Sequence, residues 1–228
     1  GEVIEQTSTA FDVLENWIQS PRYGFLTEFT ADRPNIAATM AWLKRYHING
    51  LQFYDWQYRH EALMPPTNEY SDLLGRSISL DVVNELIAAA HENNIAAMPY
   101  TAIYGASWEF YKQHPEWALF QYPGKPYEFG DNFLAIMNPA PDTPWTQHLL
   151  GEFRKVLEQT AFDGIHIDQY GAPMVGLDQD NQRVRLDEAF PAFINTAKTV
   201  VTEERGDKGV VIFNEVRNWP LAAVAPSN

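Results

Sequence analysis

A chain of 228 residues, 45% hydrophobic and 20% charged, holds enough apolar material for one sizeable core, so a single α/β domain is the first expectation. A formal charge of −14 argues against nucleic acid as a partner, since phosphate neutralisation needs clustered Lys and Arg, and no apolar run approaches a membrane span. The chain has no Cys, which excludes disulfides and thiolate metal sites and fits an exported protein.

Residues 1–20 read as a lead-in ended by Pro21, and the start GEVIEQTSTAF, with no Met and no signal peptide, reads as an excised piece. YGFLTEF (23–29) predicts the first strand. RPNIAATMAWLKRYHI (33–48) has helical apolar spacing with Asn35 as its cap. GLQFYDW (50–56) predicts a buried strand, SLDVVNELIAAAHENN (79–94) a helix whose Ala88–Ala90 face belongs to the core, and IAAMPYTA (95–102) a third strand. Residues 103–142 form an aromatic, Pro-punctuated insertion. A helix over 143–160 follows, with Thr143 capping and Pro144 at its first position. GIHID (164–168) predicts a fourth strand, 185–204 a helix despite Pro191, and GVVIFNEV (209–216) a fifth strand.

Five strands alternating with helices imply parallel βαβ units, in a doubly wound sheet or a (β/α)₈ barrel. A barrel typically needs about 250 residues and eight strands, so this pattern predicts about five units of an incomplete one. Catalytic groups of a barrel sit at strand C-termini. Here those ends read TEF, YDW, PYTA, IDQY and FNEV, rich in carboxylates, amides and aromatics. GxGxxG and GxxxxGK[ST] are both absent, so no nucleotide site and no cofactor is expected. With 7 Trp and 11 Tyr, the chain has flat faces with polar handles, which suit sugar rings.

In FDGIHIDQYG (162–171), strand alternation sends Ile165 and Ile167 to one face and His166 and Asp168 to the other. Two titratable groups on one face of a buried strand are costly unless paired or used. Asp168, before the Gly171 turn, suits a nucleophile, against the plainer roles of helix cap or structural ion pair. Glu215, in the fifth strand-end setting FNEV, is a candidate acid/base. Asp163 reads as Asp-Gly turn chemistry. Asp55, with Tyr54 and His60 beside it, reads as an acceptor for hydroxyl groups, against a buried carboxylate satisfied by Arg59 or a backbone amide. Tyr104, Trp108 and Asn138 are further candidates, each equally suited to packing. His166 and Asp168 on alternate positions also suit a metal, but six His and no second acidic cluster make none the expectation.

These strand ends with their flanks resemble glycoside hydrolase family 66, the dextranases and cycloisomaltooligosaccharide glucanotransferases. PRYGFLTEF (21–29), NGLQFYDWQYRHEALM (49–64), YGASWEF (104–110), FDGIHIDQYG (162–171) and VIFNEV (211–216) carry the likeness, in the family's order. QFYDWQYRH is its most specific piece. The resemblance implies a (β/α)₈ catalytic domain, filling residues 21–228 in its N-terminal part, that cleaves or transfers α-1,6-linked glucan with retention. It implies Asp168 as nucleophile, a glucan site including Tyr54, Asp55, His60, His166 and Asn214, and an extracellular or cell-surface location. It places the acid/base Glu on the strand after VIFNEV, beyond residue 228, which leaves Glu215 the weaker candidate.

Overall fold

The computed structural model describes residues 7–8 and 13–224. Five strands, β1 (Tyr23–Leu26), β2 (Gly50–Phe53), β3 (Ala96–Ala102), β4 (Gly164–Asp168) and β5 (Val210–Phe213), form one sheet in chain order. All four pairings are parallel. Each crossover carries a helix: α1 (Ile36–Arg45), α2 (Leu80–Glu92), then the short α3 (Trp108–Gln113) with α4 (Pro144–Gln159), and α5 (Leu186–Arg205). The central strands β2, β3 and β4 are almost wholly buried on both faces and read as near-continuous apolar runs, whereas the edge strands β1 and β5 are mostly half-exposed. Among the described residues the sheet is open, with β1 and β5 at its edges.

The sheet curls. Tyr23 of β1 and His166 of β4 share a 3.0 Å hydrogen bond and stack at 5.6 Å. A flat sheet would hold these two strands about 14 Å apart, three strand spacings. Both edge strands also wall one hollow of about 590 Å³, with Trp17 and Tyr23 on one side and Val210–Phe213 on the other.

Helix positions follow local chemistry in part. Thr143 caps α4 through Thr146 N at 3.3 Å with Pro144 at the first helical position, as expected. Pro191 lies within a continuous α5, which buries Phe190, Phe193, Ile194, Ala197 and Val201 at helical spacing. Two expectations need correction. Asn35 precedes α1 in the left-handed region (φ 59) and its side chain makes no cap bond. Of the Ala88–Ala90 face, only Ala90 is buried; Ala88 is exposed, because Val82, Val83, Leu86 and Ile87 already define the buried stripe of α2.

The lead-in lies partly outside the described residues. Its Trp17–Gln19 turn has an Asn16/Gln19 capping box, and Trp17 stacks on Tyr23 at 6.2 Å. The 103–142 insertion folds into short strands and α3. Buried Glu61 pins it beside β2 by accepting bonds from Ser107 N (2.9 Å) and Ser107 Oγ (2.5 Å). Asp163 makes no turn: its Oδ2 accepts from Ala97 N at 2.7 Å, and Gly164 already begins β4. A Cβ at Gly164 would lie 1.8 Å from Val210 O, so the close approach of β5 requires glycine there.

Candidate functional site

Asp168 ends β4 with its side chain on the inner face of the curl, beside His166 as the alternation predicts. Its two oxygens are held separately: Asn214 Nδ2 donates to Oδ1 at 2.6 Å, and Tyr100 Oη donates to Oδ2 at 3.1 Å. Burial pushes the Asp168 carboxyl up; the bonds from Asn214, the Gln169 backbone and Tyr100 pull it back toward the charged form. Neighbouring Asp55 adds a smaller upward push.

The carboxylate opens on a cleft of about 360 Å³ walled by Tyr54, Asp55, His60, Tyr100, Phe129 and Tyr170, among others. Asp55 follows β2 in the left-handed region (φ 53), a conformation Asp tolerates better than most residues. Its partner is Arg76, not Arg59. Arg76 Nη2 bonds Asp55 Oδ2 at 2.9 Å and Asp72 Oδ2 at 2.5 Å. Arg59 instead donates to the Tyr58 and Ser71 carbonyls and stacks over Tyr58 at 4.0 Å. Burial raises the Asp55 carboxyl, and Arg76 opposes that rise. His60 is pushed down to about 4 by burial, so the imidazole is neutral near pH 7, and its Nδ1 has no hydrogen bond.

The expected site residues divide. Tyr54, Asp55, His60 and Asp168 wall the cleft, and Asn214 binds Asp168 directly. His166 forms the layer beneath, against Tyr23 and Tyr100 at 5.6 and 6.4 Å, and burial pushes it down to about 4. Tyr104, Trp108 and Asn138 do not line this cleft. Tyr104 is fully buried with its hydroxyl bonded to Ala172 O and Tyr170 N; Trp108 packs against Tyr111 at 4.7 Å with the rings tilted by 41°; Asn138 Oδ1 accepts from Ala140 N at 3.1 Å. Glu215 lies beyond β5, before a 3₁₀ turn, and does not line the cleft either. Among the described residues, no group of three or more His, Asp or Glu is placed to hold a metal ion.

Sequence reasoning missed Tyr100, Arg76 and Phe129. Tyr100 had a signal in the polar strand end PYTA. Arg76 and Phe129 come from a hairpin and the insertion, and nothing local marks them.

An α/β sheet with a hydrogen-bonded carboxylate in a cleft at its strand C-termini, lined by aromatics and polar groups, is the pattern of an enzyme active site in this fold class. Residues 1–228 match Glycosyl hydrolase family 66, and the chain belongs to that family. It is 32% identical over 227 residues to a cycloisomaltooligosaccharide glucanotransferase of Niallia circulans, covering 92% of this chain and 23% of that protein. It is 22% identical to a dextranase of Streptococcus salivarius, covering 95% of this chain and 29% of that protein. The crystal structure of a Paenibacillus sp. cycloisomaltooligosaccharide glucanotransferase complexed with cycloisomaltoheptaose superposes with a TM-score of 0.81 at 33% identity, covering 89% of this chain and 31% of that one. The chain thus spans about a quarter of the length of these curated relatives.

Proposed function

We propose that this chain is the nucleophile-bearing part of a retaining, endo-acting glycoside hydrolase on α-1,6-linked glucan, with Asp168 as nucleophile. The observation that carries the reading is the Asp168 carboxylate itself, oriented by separate donors on its two oxygens at the wall of an aromatic cleft. Asp168 attacks the anomeric carbon as the glycosidic C–O bond breaks, and the acid donates its proton to the departing oxygen. Water then attacks the glucosyl-enzyme, giving one of its own protons to the second carboxylate, restoring that acid and freeing Asp168 as its bond to the sugar breaks. Asp55, its charge compensated by Arg76, accepts sugar hydroxyls beside the reacting carbon.

Two further hollows share walls with the cleft, one through Asp55 and Arg76 and one through Tyr58 and Arg59, which supports a glucan lying across it rather than ending in it. The acid/base is the carboxyl group that the family resemblance places on the next strand; Glu215, whose carboxyl burial raises, is the alternative inside this chain. The same resemblance supports completion of the five units to a (β/α)₈ barrel and an extracellular location. No helix among the described residues is long and apolar enough to cross a membrane.

A second reading is transfer, cyclising or otherwise, in which a sugar hydroxyl replaces water. It is favoured by the higher identity to the glucanotransferases than to the dextranase. A third is a glucan-binding fragment without turnover. The test uses the full-length protein. Asp168→Ala should lose dextran cleavage and keep isomaltooligosaccharide binding, and azide should partly restore turnover, giving a product of inverted anomeric configuration. Unchanged cleavage by Asp168→Ala overturns the assignment. Robust cleavage by residues 1–228 alone would move the acid/base to Glu215.

A further inference from the structure

The 103–142 insertion places one aromatic ring where the expected sites did not put one. Phe129 ends the two-residue strand Glu128–Phe129, paired antiparallel with Leu134–Ile136. The turn between them places Gly130 and Asn132 at positive φ, and the Glu128 carboxylate ties it down by accepting from Asn132 N at 2.9 Å and Lys125 Nζ at 3.2 Å. The ring is therefore carried on a short, tethered hairpin.

Phe129 is 48% exposed, although one face lies on Tyr170 at 4.7 Å and 28°. Phe129 lines the cleft together with Asp168 and Tyr170. The backing ring is itself fixed. Tyr170 N donates to Tyr104 Oη at 2.7 Å, and the Tyr104 ring meets Tyr170 edge-on at 5.2 Å. Tyr104 in turn lies on Phe190 of α5 at 5.6 Å. A run of three rings, Phe190, Tyr104 and Tyr170, therefore supports Phe129 from the core outward. Tyr170 is two residues from Asp168, so the covalent chain sets how far this support stands from the carboxylate.

An isolated exposed Phe needs no explanation. A half-exposed Phe backed on one face by a fixed ring, lining a cleft beside a carboxylate, offers a flat, preorganised surface, negative over its π face. The C–H face of a pyranose ring is its complement. We propose that Phe129 is a stacking platform for a glucose ring of the bound glucan, a binding role that rests on the glucan reading of the cleft.

The experiment titrates isomaltotetraose calorimetrically into the full-length protein, silenced by Asp168→Asn so that the ligand is not turned over, and into the same protein with Phe129→Ala, Phe129→Leu or Phe129→Tyr, with melting temperature as the check on folding. Loss of the aromatic face should weaken binding roughly tenfold in both the Ala and Leu variants, the upper end of what one aromatic stacking contact contributes. Phe129→Tyr should keep the affinity. Leu is the discriminating variant, because it preserves apolar contact with Tyr170 and removes only the flat face. Unchanged affinity in Phe129→Leu overturns the platform while leaving the glucan reading intact. Absence of isomaltotetraose binding by the full-length protein with Phe129 in place overturns the glucan reading and the platform with it.

Discussion

Strand β4 is flanked by two aspartates five residues apart, and their surroundings differ in kind. Asp163, before the strand, gives one oxygen to the Ala97 amide at 2.7 Å and to His91 Nε2 at 2.8 Å, tying the start of β3 to the last turn of α2. Asp168, at the far end, is held by the side chains of Tyr100 and Asn214 as well as the Gln169 backbone, and lines a cleft. A carboxylate that ties one strand's backbone to a helix side chain is part of the scaffold. One held by side chains at a strand C-terminus, where the loops diverge, stays available to a ligand. The histidines follow the same division: hydrogen bonding to Asp163 raises His91, while burial pushes His60 and His166 down to about 4.

The largest expected effect breaks the cleft end alone. Asp168→Asn in the full-length protein should lower kcat for dextran by more than about 10³-fold with little change in affinity, since a nucleophile acts only in the transition state. Steady-state kinetics beside calorimetric binding of isomaltotetraose checks this.

The second effect is acid lability from the buried histidines. Their folded pKa is lowered, so below about 6.5 the unfolded chain binds more protons and stability falls with pH until about 4. The full shift corresponds to about 3 kcal/mol per group as an upper figure. Urea midpoints between pH 7 and pH 4 measure it, and His166→Gln should flatten that dependence if it folds.

Smaller is Asp163→Ala, which leaves the Ala97 amide and His91 without their partner. It should cost about 1–2 kcal/mol of unfolding free energy and leave isomaltotetraose affinity unchanged. A matching loss of affinity would erase the contrast between the two ends.

The smallest effect has the opposite pH sign. The folded pKa of His91 is raised, so its contribution is complete below about pH 6.5 and is lost as pH rises through the folded value. The melting-temperature gap between wild type and His91→Gln should therefore be larger near pH 5.5 than near pH 9. Both partners are partly solvated, which keeps that gap small.

What the sequence by itself determined was near-neighbour in origin. Apolar periodicity located the five strands and the main helices, alternation put His166 and Asp168 on one face, and Thr143-Pro144 marked the start of α4. Each rests on residues a few positions apart, which is the range of backbone geometry and capping. Tertiary structure decided which partners those residues meet. Arg76 reaches Asp55 across 21 residues and excludes Arg59, although Arg59 is nearer in sequence. Curling of the sheet set His166 against Tyr23, 143 residues away. Folding of the insertion sent Tyr104 into the core and Phe129 to the cleft, although both are aromatic residues in the same Pro-punctuated stretch. Apolar character specifies that a ring leaves water; whether it then faces a core or a ligand depends on how distant segments pack around it.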